Sequence, residues 1–327
     1  MPYIKGRNSS VSIKRETTRG VKETTGFTNG LPWEEFGLYE SIGSTFKDES
    51  ATGTTSVLQG EEITGWIADG SIKGKLDADY ALWAFAGAFG VATPTTALGA
   101  TTWAFSMLNN NLLPTHTVNY SRGDDGFRAV TGATIDKLTI DVGKDDATYA
   151  VDLKAIKEES GTTVTPVIAK PSKYILPFNW LVGFATTKAG LSAATTLAKV
   201  QSLNFELSNS VGGEEQFLGN QYRDDTPANG RSVMLKMSIT LDTTNGLQTQ
   251  FLAGTKLAFK LSGVANNLPV IGTSALKPSI IIETAVGLIK KTHKVERDSY
   301  IMYDLEVEIQ ECHLTTATII NAIPTLQ

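Results

Sequence analysis

Cysteine is nearly missing: Cys312 is the single one among 327 residues, so no intrachain disulfide can form and packing and hydrogen bonds must hold the fold. A reducing compartment fits. Cationic surplus is missing as well, with 29 Lys and Arg against 34 Asp and Glu and a formal net charge of −5. That excludes a role built on gripping nucleic acid by its phosphates. The densest basic set, Lys5, Arg7, Lys14, Arg15, Arg19 and Lys22, is interrupted by Glu16 and Glu23 and reads as a solvated arm. Long apolar runs are missing too. A spanning helix needs about 20 consecutive apolar residues, whereas the run from Tyr80 to Ala92 stops at Thr93-Pro94-Thr95-Thr96, so no membrane insertion is expected. The stretch "MPYIKGRNSSVSIKRETTRG" has no apolar h-region, and export by a secretory signal is not expected either.

Catalytic strings are absent. No G-x-G-x-x-G, P-loop, G-x-S-x-G or H-E-x-x-H motif occurs. His116, His293 and His313 stand in unrelated contexts, and Cys312 and His313 are neighbours in a strand-like run, which would send them to opposite faces. The pairs Asp124-Asp125, Asp145-Asp146 and Asp224-Asp225 lie in no EF-hand-like loop and read as turns. The expectation is a protein with no catalytic residue, no cofactor and no metal.

What is present is β-pattern. One helix is expected over 77–90, with Asp77 as N-cap, Asp79 in the first turn and Gly90 closing it. Leu82, Phe85 and Phe89 share a face while Trp83 and the alanines keep the other face apolar, so this helix should be covered all round. The stretch 93–121 is uncharged and rich in Thr and Asn, and reads as a long loop over another protein surface or over the chain's own core. Beyond it, "TIDKLTIDV" (134–142) and "VQSLNFEL" (200–207) share a signature: Ile135 and Val200 are out of phase with the period of two that follows. A bulge at the strand start would cause that shift. Each is followed by an alternating strand, "TYAVDLKAIK" (148–157) and "SVMLKMSITL" (232–241), so 134–157 and 200–241 form an approximate strand-pair repeat. "KLAFKLSG", "SIIIETAVGLI" (279–289) and "SYIMYDLEVEIQE" (299–311) add further strands. The fold class expected is all-β: an antiparallel sandwich or barrel with one short flanking helix and long loops, an arm over 1–60 and the domain over 61–327.

The order of these elements resembles the tail tube proteins, or major tail proteins, of long-tailed bacteriophages. "SVSIKRETTRG" carries a strand into a Glu-Thr-x-x-Gly turn at Glu16, Thr17 and Gly20; "GEEITG" (60–65) leads to "GSIKGKLDADYALWAFAGAFG" (70–90); and "VTGATIDKLTIDV" and "AKVQSLNFELSN" complete the pattern. The resemblance implies a virion structural protein whose hexameric rings stack into a tube for genome ejection. Its partners would be itself, other tail proteins and DNA passing without specific binding, with assembly in the host cytoplasm. Another virion subunit (sheath, decoration or capsid) and an extracellular β-sandwich binding module are the alternatives.

Two surfaces stand out under that reading. The insertion 208–232 is far longer than a hairpin needs, and Glu214, Glu215, Phe217, Leu218, Tyr222, Arg223, Asp224 and Asp225 would reach a neighbouring subunit or ring, or else decorate a surface loop. In "YIMYDLEVEIQE", Asp304, Glu306 and Glu308 share one strand face about 7 Å apart. That face would line the channel, or lie outside and be neutralised by Lys290, Lys291, Lys294 and Arg297.

Overall fold

The computed structural model describes residues 10–27, 30–48, 60–121, 126–163, 173–197, 199–212, 220–240, 247–297 and 300–325. In chain order the elements begin with β1 (Ser10–Arg15), β2 (Glu35–Phe36), β3 (Tyr39–Asp48), β4 (Gly60–Lys75) and the helix α1 (Leu82–Phe89). Next come β5 (Gly90–Ala97), β6 (Ala100–Met107), β7 (His116–Ser121), β8 (Phe127–Val142), β9 (Ala147–Ala155) and β10 (Lys157–Ser160). Then follow β11 (Trp180–Ala185), β12 (Thr195–Leu197), β13 (Val200–Ser208), β14 (Ser232–Thr240) and the short helix α2 (Leu247–Leu252). The chain finishes with β15 (Ala258–Val264), β16 (Ser279–Glu283), β17 (Gly287–Arg297), β18 (Tyr300–Ile309) and β19 (Thr316–Asn321).

These strands make two antiparallel sheets, as the alternating pattern requires. The first has the order β17-β18-β14-β13-β8-β9-β4-β2, with β3 continuing β2 along β4; the second has the order β12-β11-β15-β16-β19-β6-β5. Leu138, Ile140, Val142, Leu203, Phe205 and Leu207 from the first sheet and Phe105, Phe259, Leu261, Ile280 and Ile319 from the second belong to one buried cluster. Both bulges inferred from the phase shifts are present. The register slips between Ile135 and Lys137 opposite β9, and between Val200 and Ser202 opposite β14.

Helix α1 lies between the sheets, and all eight of its residues are buried. The helix is shorter than the 77–90 expected: its N-cap is Ala81, so Asp77 is not the cap and Asp79 is not in the first turn. Asp77 instead accepts the N–H groups of Asp79 and Tyr80 at 2.8 and 3.4 Å in the turn that precedes the helix, while Gly90 (φ 93°) closes it as expected by donating to Ala86 O. No helix among the described residues is long and apolar enough to cross a membrane.

Three local expectations need correction. The stretch 93–121 is not a long loop: it holds most of the β5–β6 hairpin and all of β7. Pro94 does not break the structure because β5 is an edge strand, where a missing N–H costs nothing. Leu98 (φ 53°) and Gly99 (φ 81°) form the tight turn. The run 279–289 is two strands in different sheets, β16 and β17, separated by residues 284–286, where the Thr284 side-chain oxygen accepts the Phe259 N–H at 2.9 Å. Finally, helical spacing in the sequence is not confined to 77–90 but recurs in "SAATTLAKV" (192–200), and there it makes no α-helix: the stretch contributes the end of a 3-10 turn and then β12.

Candidate functional site

Three surfaces carry the groups that the sequence singled out. The first is the face of the large sheet turned away from the core. Leu305, Val307 and Ile309 are buried, so Asp304, Glu306 and Glu308, of opposite parity, stand together on the outer face of β18. They are not an isolated acidic row. Lys236 on β14 is paired opposite Glu306, Ser238 Oγ donates to Asp304 Oδ1, and Lys290 Nζ lies 3.0 Å from Glu308 Oε2. Further along the same face Lys137 Nζ sits 3.8 Å from Asp152 and 4.0 Å from Glu206. Burial raises the Asp152 carboxyl above the usual range, with Lys137 opposing. The face is therefore a polar lattice of alternating charge, lacking the contiguous cationic stripe that would hold phosphates.

The second surface is one end of that sheet. β9 covers β4 from Ala68 to Lys75; beyond Ala68 toward Gly60, β3 is the one strand paired with β4 among the described residues, and the two run on as a ribbon. Ile42, Phe46 and Ile63 on this ribbon are 53%, 60% and 37% exposed, an apolar group of the kind that marks contact sites. Residues 220–231 form a strap beside it. Trp66 N donates to Gln221 O at 2.8 Å.

Within the strap, Arg223 is buried and its guanidinium pairs with the Asp69 carboxylate, at 2.8 Å between Nη2 and Oδ2. Arg19 reaches Asp225 Oδ1 at 2.5 Å and donates to the carbonyls of Leu113 and Thr226 at 2.6 and 2.8 Å. Arg223 and Asp225 thus find their partners inside their own chain, while Asp224 is exposed and Tyr222 half-buried. Together with Arg19 and Gly20 these four line an open depression of about 510 Å³. Glu214, Glu215, Phe217 and Leu218 lie outside the described residues. Asp69 went unrecognised in the sequence and Arg19 was read only as part of a solvated arm, because partners so far away in the chain leave no local signal.

The third surface is the pair of sheet edges. β17 ends the large sheet on one side and the β2–β3 strand on the other. Residues 10–48, read from the sequence as part of an arm, lie on the chain's own body: β1 pairs with β7, and β2 and β3 pair with β4. Around them the Glu-Thr-x-x-Gly turn has a definite job. The Glu16 carboxylate is buried and accepts Gly20 N at 2.8 Å, Gly132 N at 2.7 Å and Thr117 Oγ1 at 3.1 Å.

Two titratable groups, His116 and Asp77, are buried beside α1. Burial pushes the His116 imidazole down to about 4, which leaves it neutral at pH 7 against Trp83. Burial likewise raises the Asp77 carboxyl, which is occupied by backbone N–H groups. Among the described residues no group of three or more His, Cys, Asp or Glu side chains gathers as a metal site would require. A comparison with curated proteins finds no match. The family model described as phage tail tube protein matches residues 6–309.

Proposed function

The chain belongs to the phage tail tube protein family, a structural component of the virion tail, and from that premise we propose that it closes into rings that stack as the conduit for genome ejection. The family resemblance implies six wall units around each ring. Their role is mechanical and requires no catalysis, and they are built in the host cytoplasm together with other tail proteins.

The observation that carries this reading is the large sheet itself. One face is sealed by α1 and the second sheet, the other is polar and open, and both edges end in strands that further chains can extend. Such a sheet, curved into a closed wall, turns a charge-balanced face toward the lumen, on which DNA finds no phosphate grip. Asp304, Glu306 and Glu308 lie on that lining. The ribbon of β3 and β4 with its exposed Ile42, Phe46 and Ile63, and the strap with Tyr222 and Asp224, supply the contact to the next ring. A heterologous, repeating contact of this kind generates an open stack along one axis.

Negative-stain electron microscopy of the concentrated protein should show long tubes with a central channel. A sharp monomer in sedimentation over a wide concentration range, without tubes, would end the reading; closed shells would place the chain in another virion role. The lining is tested separately by replacing Asp304, Glu306 and Glu308 together with Lys. Beside Lys236 and Lys290 this creates a cationic track, so tubes should still form but retain DNA, with release on added salt. Tubes of the triple variant that stay free of DNA at low salt would remove β18 from the lumen.

A further inference from the structure

We propose that the chain carries two tandem copies of one wall module, and that a ring with six modules is therefore made by three chains. This deepens the tube reading and rests on it.

The correspondence follows chain order. The first module runs β2/β3, β4, α1, β8, β9 and the second β13, β14, α2, β17, β18; within the large sheet they lie as β3-β4-β9-β8 and β13-β14-β18-β17, the same order twice. The registers agree residue by residue. Ile72 pairs with Val151 where Met237 pairs with Leu305, Gly70 with Leu153 where Leu235 pairs with Val307, and Gly74 with Tyr149 where Ile239 pairs with Tyr303. β4 and β14 are thus offset by 165 positions, as Ile72 to Met237 shows, and the same offset carries the first helical residue Leu82 onto Leu247, the first residue of α2; both leucines are buried.

The last hairpins match with a constant offset of 154, from Ile135 to Ile289 and from Leu153 to Val307, and even the bulge is repeated. In one hairpin the register slips between Ile135 and Lys137, in the other between Ile289 and Lys291, with Lys137 opposite Asp152 and Lys291 opposite Glu306. β2 and β13 complete the set, with Phe36 on Ile72 where Leu203 is on Met237. A single register match could arise by chance in any antiparallel sheet; matching strand order, helix start and bulge together mark a duplication.

The duplication supplies a template for the joint between chains. Inside the chain the modules meet where β8 pairs with β13, Leu203 opposite Val142, Phe205 opposite Ile140 and Leu207 opposite Leu138. Carried over by the same offsets, the free edge β17 of one chain receives β2/β3 of a second copy with Phe36 opposite Glu296, Leu38 opposite Lys294 and Ser41 opposite Lys291. The direction of the edge groups agrees. Gly37 N donates inward to Ser71 O, while Glu40 N faces the edge and is taken by the Glu158 carboxylate at 2.9 Å.

The number of chains follows from the bore. Eight strands spaced about 4.8 Å apart and tilted about 40° give each chain about 50 Å of circumference. Two chains leave a lumen about as wide as a B-form duplex, roughly 20 Å, once wall side chains are allowed for. Six leave one about four times that width, and three give about 35 Å, which clears the duplex while keeping the wall near it.

The test uses Ser41→Cys with Lys291→Cys in a Cys312→Ser background, assembled into tubes and then mildly oxidised. The template makes this a non-hydrogen-bonded pair, the closer of the two kinds, so crosslinked species of two and three chains should appear, with three as the end point. Either single variant should give none. Cryo-microscopy of unmodified tubes supplies a second readout, threefold symmetry with six similar wall modules per ring. Tubes with six chains per ring, or with no crosslink at this pair, overturn the inference and leave the tube reading standing. A protein that stays monomeric overturns both.

Discussion

Asp in place of Phe85 is expected to abolish the folded protein. Phe85 is 0% exposed, and its ring stacks on Phe89 at 6.0 Å and tilts against Phe105 at 5.9 Å, so it joins the helix to the second sheet. Removing a buried Phe side chain costs about 3–5 kcal/mol. Leaving a carboxylate in the same apolar site, among the rings of Phe89 and Phe105, costs several more. That sum is comparable with the whole stability of a typical domain, about 5–15 kcal/mol. The variant should be insoluble on expression, or soluble with lost near-ultraviolet circular dichroism, whereas Phe85→Leu should fold and lose only about 1 kcal/mol. A soluble Asp variant with native circular dichroism, or one that partitions into liposomes through this segment, would show that α1 is not in the core.

Glu16→Gln should be costly despite its near-identical shape. The carboxylate takes three donors on two oxygens, two of them backbone N–H groups of residues at positive φ, Gly20 (71°) and Gly132 (68°). An amide offers one accepting oxygen and turns its NH2 toward the remaining donors, so at least one buried N–H loses its partner and faces another donor. Such a loss costs about 2–3 kcal/mol. Glu16→Ala, which orphans all three, should cost more, and the order Ala, then Gln, then wild type should be visible in urea midpoints. Because the turn binds β1 to the start of β8, limited proteolysis near residues 17–22 should speed up in the same order. A Gln variant with the wild-type midpoint would mean that the carboxylate adds no net stability.

The sequence was legible where information is local. Period-two alternation located β9, β13, β14 and β18, and a single apolar residue out of phase located the bulges at Ile135 and Val200. Helix α1 was legible from its apolar run and from Gly90 at its end, but its start was read too early, because Asp77 shapes the preceding turn and Ala81 is the N-cap. Local reading failed where the deciding partner is remote. Pro94 looks like a breaker until β5 is known to be an edge strand. Residues 35–48 look like an arm because Gly and Ser dilute their pattern, yet β4 supplies the missing pairing partner. The charges of Arg223 and Asp225 promised an external partner, and Asp69 and Arg19 take them first. The repeat read from the sequence set 134–157 against 200–241, whereas the proposed duplication sets β8–β9 against β17–β18 and β2/β3–β4 against β13–β14; that correspondence was hidden for a related reason. It is kept in pairing register and in a bulge, while the residues themselves have changed, as Asp136 against Lys290 shows.

The last strand has a consequence in time. β19 (Thr316–Asn321) sits between β16 and β6 in the second sheet, Asn321 Nδ2 donates to Ala78 O at 2.9 Å beside α1, and Trp103 Nε1 donates to Ile323 O at 2.9 Å. Until residues 316–323 are synthesised, β5–β6 and β15–β16 are therefore separate hairpins with unfilled edges, and the second layer closes only when this segment is in place. Contacts spanning more than two hundred positions form slowly, since the loop-closure entropy must be met before the pairing rewards it. Synthesis thus sets a clock under the proposed tube reading: a variant lacking residues 316–323 should leave the second layer open and fail to support the wall sheet.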